Sequence, residues 1–336
     1  MDKNKSRRTF IQQTGAMAGG AFALGLTPAA ATARVQAASN QVPPNAASRL
    51  SKTQKLRALL RRPGLLHAPE AYNVLAARLA EHHGFEAIYI GGNMMSSNYL
   101  GVPDWGIITN PDMIEIAGRI AHEVSIPAIV DADQGGETTL NVYRTVQQYE
   151  KAGFAALHIE DLLNPKLHPG EREKITPGDP IGLASIDRMV LRLRAAIDAR
   201  TDPDFVIIAR TLEEEIDKVI RRGIAYAKAG ADLFMNNFVG MNAEQIDRVG
   251  REVPIPLVGI SVRPPNRVTQ LKVNLYANLV SGPAAGLCDA ILRELKERGE
   301  VASRAGLTAD VEAELRNDQV YAQLAQKWVA TTNARL

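Results

Sequence analysis

The chain has 336 residues, of which 46% are hydrophobic and 23% charged, and its formal net charge is only +2. Single domains run up to roughly 250 residues, so the chain is long enough to bury one complete core. The small net charge gives no electrostatic reason to expect a nucleic-acid or membrane-surface partner, and the single cysteine excludes an intrachain disulfide and any multi-cysteine zinc site.

The N-terminal segment has the pattern of an export signal. Arg7 and Arg8 precede an apolar stretch, residues 15–26, and small residues follow it. This combination is typical of a twin-arginine signal, and the alternative is a disordered leader with two chance arginines. The apolar run is shorter than the ~20 residues that span a bilayer, so no permanent membrane anchor is expected. We predict a signal over residues 1–38, a linker over 39–55, and a mature periplasmic protein with no membrane partner.

From about Leu56 the chain alternates short apolar or β-branched runs with longer amphipathic segments. Eight strands alternating with helices indicate a parallel sheet, and the count favours closure into a (β/α)8 TIM-type barrel over residues 56–300. An open doubly wound sheet is the alternative, although no Gly-x-Gly-x-x-Gly follows the first strand. The predicted strands are residues 64–67, 87–90, 128–131, 156–160, 205–210, 233–236, 256–260 and 273–276, and the predicted helices are residues 69–83, 111–124, 140–152, 186–199, 213–229 and 243–253.

The C-terminal segment, residues 301–336, is predicted to lie beyond the barrel as a helical arm. Residues 308–328 have the pattern of one amphipathic helix, which could cap the barrel or reach a neighbouring subunit. Cys288 lies among small apolar residues in the last barrel helix, and we expect it to be buried.

Three carboxylates follow neighbouring predicted strands. Asp131 and Asp133 end the third strand, and Glu160 ends the fourth. Active sites of barrels form at the carboxyl ends of the strands, and residues two apart on a strand project to the same side. Carboxylates gathered in a partly desolvated site repel one another unless a cation is present. We therefore predict a Mg²⁺ site, with Mn²⁺ as a substitute; the alternative is that Asp133 caps a helix and Glu160 pairs with a surface lysine.

Arg210 and a glycine turn are the predicted substrate-binding groups. Arg210 comes just past the apolar run of the fifth strand, where a guanidinium can hold a carboxylate with two parallel hydrogen bonds. A structural ion pair with one of the clustered carboxylates is the alternative. Gly91, Gly92 and Asn93 follow the second strand, and the backbone N–H groups exposed by glycines can hold an anion, although such runs are commonly turns.

A long polar connection follows Glu160, between Asp161 and Pro180. A loop of this length inside a compact domain is usually a lid or disordered. Because it follows Glu160 directly, it is positioned to close over the metal and exclude water. Lys166 and His168 are its candidates for donating a proton or binding an anion.

In their order and spacing, four segments resemble the isocitrate lyase/phosphoenolpyruvate mutase superfamily, and the match runs over residues 84–232. The resemblance implies an α/β barrel that exchanges its last helix with a partner, as a homodimer or homotetramer. It also implies Mg²⁺ held by Asp131, Asp133 and Glu160, directly or through water, with Asp104 assisting. The segments are residues 100–104, 130–133, 159–161 with 165–166, and 209–211.

The resemblance further implies how the substrate is held. In the superfamily, the region of the Gly-Gly-Asn turn and the position of Arg210 hold a substrate carboxylate or phosphonate. The shared intermediate is an enolate of a 2-oxo acid, or the corresponding product carboxylate, and the metal and the arginine stabilise its developing charge.

The sequence departs from the superfamily in the groups that set the reaction. Isocitrate and methylisocitrate lyases have a lid cysteine in a Lys-x-Cys-Gly-His stretch, whereas this chain has His168 at that place. The phosphonate enzymes have an asparagine there, which is also absent. Asn237, an expected substrate contact, stands where the lyases have Glu and the mutase has His, and the superfamily's Gly-Tyr-Gly is Gly-Gly-Glu over residues 135–137.

These departures favour a Mg²⁺-dependent carbon–carbon lyase, of the oxo-acid lyase or carboxy-lyase type, acting on a small 2-oxo or 2-hydroxy dicarboxylate. Decarboxylase-like members tolerate loss of the lid cysteine, because release of CO₂ leaves a metal-stabilised enolate that water can protonate. A phosphonate enzyme of the mutase or hydrolase type is the second interpretation. A non-catalytic periplasmic barrel that binds metal or ligand is the third.

Overall fold

A computed structural model describes residues 50–167, 169–179, 181–302, 304 and 306–333. The predicted export signal, residues 1–38, therefore lies outside the described residues, as do most of the predicted linker and His168. Eight strands run through the described part: β1 (Leu66–Ala68), β2 (Ile88–Ile90), β3 (Ala128–Asp131), β4 (Ala156–Glu160), β5 (Val206–Thr211), β6 (Leu233–Asn236), β7 (Leu257–Ile260) and β8 (Leu271–Leu275).

The strands are parallel and form one sheet in the order β1-β8-β7-β6-β5-β4-β3-β2. The ring closes just beyond β1, where the N–H of Tyr89 donates to the carbonyl of Pro69 and the N–H of Ala71 donates to the carbonyl of Tyr89, both at 2.9 Å. The predicted TIM-type barrel is confirmed. Strands β3, β4 and β6 have the predicted bounds, and the other five differ by one to two residues at an end.

Helices follow every strand except β7, after which the described chain makes only a 3-10 turn before β8. They are α1 (Lys52–Arg61), α2 (Val74–His82), α3 (Gly92–Met95), α4 (Asn110–His122), α5 (Thr139–Lys151), α6 (Pro169–Ile175), α7 (Ile186–Ala199), α8 (Ile216–Lys228), α9 (Ala243–Glu252), α10 (Ser281–Arg298), α11 (Ala309–Leu315) and α12 (Asp318–Asn333), with a π-helical turn over Ser96–Leu100 and the 3-10 turn over Pro265–Arg267.

The apolar core has two layers because the strands are buried on both faces. Every residue of β4 and of β5 is buried, which explains why these strands read as continuous apolar runs. Side chains inside the barrel form one cluster, which includes Leu56 and Leu59 of α1 together with Ala87 and Ala155, the residues just before β2 and β4. Helix α1 therefore covers the N-terminal end of the barrel, and it begins at Lys52, inside the segment predicted as a linker.

Two predicted helices differ from the structure for local reasons. The helix predicted over residues 69–83 begins only at Val74, because the preceding residues pair with β2 and Asn73 caps the helix by accepting from the N–H of Ala76 at 2.8 Å. The single helix predicted over residues 308–328 is wrong. The tail forms two helices, α11 and α12, separated by Asn317, whose φ of 59° is left-handed.

The prediction that Cys288 is buried is also wrong. Cys288 is exposed, and Ser281 is the single buried residue of α10. Three leucines of α10 are exposed as well: Leu287, Leu292 and Leu295 are 53%, 65% and 47% exposed. Within the described residues, no helix combines the length and the apolar content that crossing a membrane requires.

Asp161 fixes the carboxyl end of β4 against α8. Its buried carboxylate accepts hydrogen bonds from the hydroxyl of Tyr226 at 2.6 Å, from Nη1 of Arg222 at 3.0 Å and from the N–H of Leu212 at 3.3 Å. Burial raises the pKa of Asp161, and these donors oppose that rise. The bonds hold the strand end immediately after Glu160.

Asp161→Ala is expected to lower the free energy of unfolding by about 3 kcal/mol, the lower end for breaking a buried ion pair, because among the described residues Arg222 then keeps an ion pair only with Glu213, 3.7 Å from its Nε. Urea denaturation of the purified variant measures this loss. Asp217→Ala is the matched control, since its ion pair with Arg248 lies at the surface. Equal stability of the two variants would contradict the structural role of Asp161.

Candidate active site

The carboxyl ends of β3, β4 and β5 bring three predicted site residues together. Asp131 ends β3, Glu160 ends β4, and Arg210 lies beside Glu160 in the register of β4 and β5. All three side chains are buried. Nη1 of Arg210 is 3.2 Å from Oε2 of Glu160 and 3.8 Å from Oδ2 of Asp131. The predicted convergence of carboxylates opposite a guanidinium is therefore present in the structure.

The ammonium group of Lys166 lies among the carboxylates of Asp104, Asp133 and Glu160. Its Nζ is 3.0 Å from Oδ1 of Asp104, 2.6 Å from Oδ1 of Asp133 and 3.6 Å from Oε1 of Glu160. We call Asp104, Asp131, Asp133 and Glu160 the carboxylate cluster. Lys166 and Arg210 supply the positive charges that lie beside these four carboxyl groups.

The backbone at the end of β3 sets the directions of Asp131 and Asp133, and the alternation of side chains along a strand does not explain them. β3 ends at Asp131, and Asp133 lies beyond it with a left-handed φ of 46°, which aspartate tolerates better than most residues. The N–H of Asp133 donates to Oδ1 of Asp131 at 2.9 Å, and the N–H of Gly92 donates to Oδ2 at 3.0 Å. The left-handed turn after β3, rather than the alternation of side chains along the strand, therefore directs Asp133 towards the carboxylate cluster.

The charges of the site shift the pKa values of its members in opposite directions. Burial opposes ionisation of Asp131, but the ring of His158, Lys166 and Arg210 together hold the pKa of Asp131 well below its usual value. The pKa of Asp133 is raised to about 7. Burial is the main cause and the neighbouring carboxylates add to it, whereas the charge of Lys166 acts in the opposite direction. Burial would lower the pKa of Lys166, but the surrounding carboxylates raise it well above its usual value, so its ammonium stays charged.

His158 lies within β4, behind Asp131. Burial lowers the pKa of His158 to about 4, so the ring is neutral near pH 7, and Lys166 and Arg210 are the charges that act on Asp131 there. Its Nε2 is 3.2 Å from the hydroxyl of Tyr89, and its Nδ1 is 3.4 Å from Oδ1 of Asp131. The ring thus connects the Tyr89 hydroxyl to Asp131.

A cavity of about 170 Å³ opens beside Arg210 and Asp131. Of the predicted substrate-binding residues, Gly91, Asn93 and Arg210 line it, as does Asp104 of the predicted metal ligands. The N–H of Gly92 donates to Asp131 instead, so Gly92 orients a carboxylate in this structure. Asn237 accepts a hydrogen bond from Nη2 of Arg210 at 3.3 Å and lines a separate cavity of about 90 Å³.

The sequence analysis did not single out several residues in or near this cavity, among them Tyr89, Glu70 and Gln134. Tyr89 lines the cavity from within a strand that was read only as an apolar run. Glu70 lines it just past β1, where the strand-end rule used for Asp131 could have found it. Gln134 donates from Nε2 to Oε1 of Glu160 at 3.2 Å, directly after Asp133. A larger groove, of about 760 Å³, lies at the N-terminal ends of β1, β7 and β8, away from the strand ends that carry the chemistry.

The connection after β4, residues 162–180, is called the lid. In its described part, Nδ2 of Asn164 donates to Oε2 of Glu137 at 2.7 Å, and Lys166 enters the carboxylate cluster. Gly106 has a left-handed φ of 69°, and a Cβ built there would lie 3.3 Å from Cβ of Lys166. The lid therefore lies closed against residues 104–106. The predicted role of His168 stays a prediction, since His168 is outside the described residues.

Gly106→Ala is expected to lower kcat/KM more than Gly101→Ala does. Both glycines have left-handed φ values, 69° and 66°, so each alanine adds about 1–2 kcal/mol of backbone strain. Only the Cβ at position 106 meets Lys166, whereas nothing lies within 4 Å of a Cβ at position 101. Steady-state kinetics and thermal melts of both variants separate lid contact from strain. Equal kinetics would show that the contact with Lys166 does not matter.

The carboxylate cluster suits a hard divalent cation by its chemistry, since all of its donors are oxygens. Glu160 Oε2 is fully buried and accepts no hydrogen bond from the described residues, so it has unused capacity. In this structure, however, no group of three or more His, Cys, Asp or Glu side chains in the described part of the chain is arranged to hold a metal ion. The reason is that the cluster is spaced around the Lys166 ammonium. The donors fit a metal, and the place for it is the one that Nζ occupies.

Comparison with known proteins identifies the family. The family model for phosphoenolpyruvate phosphomutase matches residues 56–284, which is more than half of the chain. The chain belongs to the phosphoenolpyruvate mutase/isocitrate lyase superfamily. The predicted superfamily is thereby confirmed.

Relatives in this superfamily include two curated enzymes. The chain is 34% identical to an oxaloacetate decarboxylase of Pseudomonas paraeruginosa over 280 residues, which cover 81% of this chain and 92% of that one. It is 36% identical to a 2,3-dimethylmalate lyase of Eubacterium barkeri over 211 residues, which cover 61% and 69%. Among solved structures, phosphonopyruvate hydrolase in complex with oxalate and Mg²⁺ matches with a TM-score of 0.72 and 29% identity, covering 83% of this chain and all of that one.

Proposed function

We propose that the protein is a Mg²⁺-dependent lyase that cleaves the carbon–carbon bond next to a small 2-oxo or 2-hydroxy carboxylate. The observation that carries the proposal is the juxtaposition of Arg210 with Asp131 and Glu160 at the carboxyl ends of the strands, beside a small cavity that Arg210 and Asp131 line. The named relatives support it, because two of them are a decarboxylase and a lyase of small carboxylates. The complex of a structural neighbour with Mg²⁺ supports the choice of metal.

Arg210 is the group that binds the substrate carboxylate. Its Nε is buried and has no hydrogen-bond partner among the described residues, and its side chain lines the cavity. A guanidinium offers parallel donors that match a carboxylate, and its pairing with Glu160 keeps it in place before the substrate arrives. Arg210 thus serves both of the roles considered from the sequence, as a structural ion pair and as a substrate clamp.

When a 2-oxo acid loses CO₂, the bonding electron pair stays on the fragment that keeps the 2-oxo group, as its enolate. When a 2-hydroxy acid is cleaved, its hydroxyl loses a proton and becomes the 2-oxo group, and the electron pair leaves on the other fragment as the carbanion of a carboxylate. A divalent cation held by the carboxylate cluster would supply Lewis-acid stabilisation of the developing charge. Arg210 stabilises negative charge in the same cavity, and burial strengthens its effect because little water competes. The lid carries the Lys166 ammonium as a proton source beside the carboxylate cluster, and closure of the lid limits the access of water.

The cavity restricts the substrate to small acids. Its volume of about 170 Å³ is below the 300–1,000 Å³ that is usual for ligand pockets. Met94, Ile260 and Ala277 supply apolar wall, and Glu70 adds a negative charge, so the part of the substrate remote from Arg210 is expected to be short.

A substrate panel tests the proposal. The purified protein is incubated with Mg²⁺ and oxaloacetate, 2-methylisocitrate, 2,3-dimethylmalate or phosphonopyruvate, and CO₂, pyruvate, glyoxylate and phosphate are measured, with an EDTA-treated sample as the control. Release of CO₂, pyruvate or glyoxylate that exceeds the release in a protein-free sample with Mg²⁺, and that EDTA abolishes, is the expected result. Release of phosphate would favour the phosphonate alternative instead, and tight binding without turnover would favour a non-catalytic binding barrel.

We also propose that two copies exchange α10, in a homodimer or a homotetramer. The proposal is supported by the three exposed leucines of α10 and by His67, which lies exposed in the middle of β1 although strands of a closed barrel are normally covered by helices. Light scattering after gel filtration is expected to give a dimer or tetramer for the native chain and a smaller species for Leu292→Glu. A native monomer would overturn the exchange.

Export through a twin-arginine signal is likewise proposed, on the pattern of Arg7, Arg8 and the apolar run after them. Cell fractionation is expected to find the native chain in the periplasm and the Arg7→Lys/Arg8→Lys chain in the cytoplasm. Equal distribution of the two chains would contradict the proposal.

A further inference from the structure

The Lys166 ammonium holds the position that a divalent cation needs. Its Nζ lies within 3.6 Å of oxygens from Asp104, Asp133 and Glu160, and its side chain is only 10% exposed. Mg²⁺ binds carboxylate oxygens at about 2.0–2.1 Å, which is much closer than these N···O distances. An ammonium and a metal ion therefore cannot occupy the centre of the cluster together, because their mutual repulsion adds to the lack of space.

Lys166 belongs to the lid, so displacement of its ammonium removes contacts that hold the lid against the carboxylate cluster. Cβ and N of Lys166 are 3.3 Å and 3.5 Å from a Cβ built on Gly106, which fixes the lid backbone close to the cluster. The Asn164–Glu137 hydrogen bond fastens the lid two residues earlier. Withdrawal of Nζ by several ångströms therefore requires the backbone around Lys166 to move away from the cluster or the side chain to leave through the mouth of the site.

We propose that Lys166 is an internal counter-cation that neutralises the carboxylate cluster until a divalent cation displaces it, so that metal binding releases the lid. This inference rests on the proposed function, since it takes the cluster to be the metal site. In the metal-free protein, Lys166 then holds the carboxylate cluster and the lid in position. Metal binding and lid closure are then opposed until a substrate brings the lid back.

The need to displace Lys166 changes the affinity of the carboxylate cluster for a metal ion. A metal that must expel Lys166 binds more weakly than one that meets an open cluster, because the ion pairs of Lys166 with three carboxylates are lost. The compensation is that the buried carboxylates never stand without a cation, which would be strongly unfavourable. Lys174 offers a matched control on the same lid, because it is 70% exposed and pairs with Glu171, outside the cluster.

The first experiment measures the accessibility of Lys166 in the native protein. Lysines are acetylated with a water-soluble reagent at fixed pH, with and without Mg²⁺ and without substrate, and each site is quantified by mass spectrometry. We expect Lys166 to be protected without Mg²⁺ and its labelling to rise at least about fivefold with saturating Mg²⁺, the lower end of the range for coupled equilibria. Labelling of Lys174 should not change. Protection of Lys166 that persists at saturating Mg²⁺ would overturn the displacement.

The second experiment measures Mn²⁺ affinity by electron paramagnetic resonance in the native protein, Lys166→Met and Lys174→Met. Lys166→Met is expected to bind Mn²⁺ at least about fivefold more tightly than the native protein, and Lys174→Met within about twofold of it, since a surface charge contributes little. Equal affinity of all three proteins would overturn the displacement and leave the metal site standing. Absence of binding in all three would overturn the metal site and the proposed function with it.

Discussion

Asp133→Ala is expected to lower kcat/KM by more than about 100-fold, while the barrel stays folded. The loss should exceed the cost of removing a residue that only contacts a metal ligand, because Asp133 is proposed to bind the metal itself. Asp133 is the carboxylate nearest to the cation position, 2.6 Å from Nζ of Lys166, and its main-chain turn aims it there. Its removal reduces repulsion among the carboxylates that remain, and Asp104 and Glu160 still neutralise Lys166. The fold therefore loses little, while the metal loses a ligand.

Kinetics at saturating Mg²⁺, Mn²⁺ binding and a thermal melt check this result together. Asp217→Ala is the control, because it removes a surface aspartate of α8 that is 63% exposed. Full activity of Asp133→Ala with normal metal affinity would contradict the metal assignment. A large fall in melting temperature would instead assign Asp133 to stability.

Arg210→Lys is expected to lower kcat/KM by about 100- to 1,000-fold, the cost of removing one donor that faces the developing charge. Lysine keeps the positive charge beside Glu160, so the buried carboxylate retains a partner and the protein is expected to fold. It cannot keep the planar, parallel donors, including the unpartnered Nε. Arg210→Lys therefore changes the geometry of the hydrogen-bond donors while it conserves the positive charge.

The substrate identified in the panel is used to measure kcat and KM separately. A rise in KM alone would restrict Arg210 to binding, and a fall in kcat shows that it also stabilises the charge formed during cleavage. Arg248→Lys is the control, because Arg248 is 42% exposed on α9. Native kinetics in Arg210→Lys would remove the guanidinium from the mechanism.

The sequence predicted the barrel and the three strand-end residues well, because these depend on local periodicity. Asp131, Glu160 and Arg210 each follow an apolar run within the chain, and parallel strands bring their ends together. Asp133 was predicted in the right place for an incomplete reason. Its direction comes from a left-handed turn that alternation along a strand does not describe.

The lid and helix α10 could not be predicted in the same way, because their positions depend on distant parts of the chain. Lys166 was expected to act on the substrate, and no local pattern indicates that its ammonium lies among the carboxylates of Asp104 and Asp133, 62 and 33 residues away. The leucines of α10 are apolar, as the residues of a buried helix are, yet they are exposed, and a pattern within one chain does not distinguish the two cases.

One hydrogen-bonded carboxylate joins the cavity to helix α10. Glu70 lines the cavity and accepts from the N–H groups of Val280 and Ser281, at 3.1 and 3.0 Å, and from the Ser281 hydroxyl, at the point where α10 begins. A tilt of α10 would therefore move a wall of the cavity. Substitutions far along α10, remote from any reacting atom, are expected to change in this way which acid the cavity accepts.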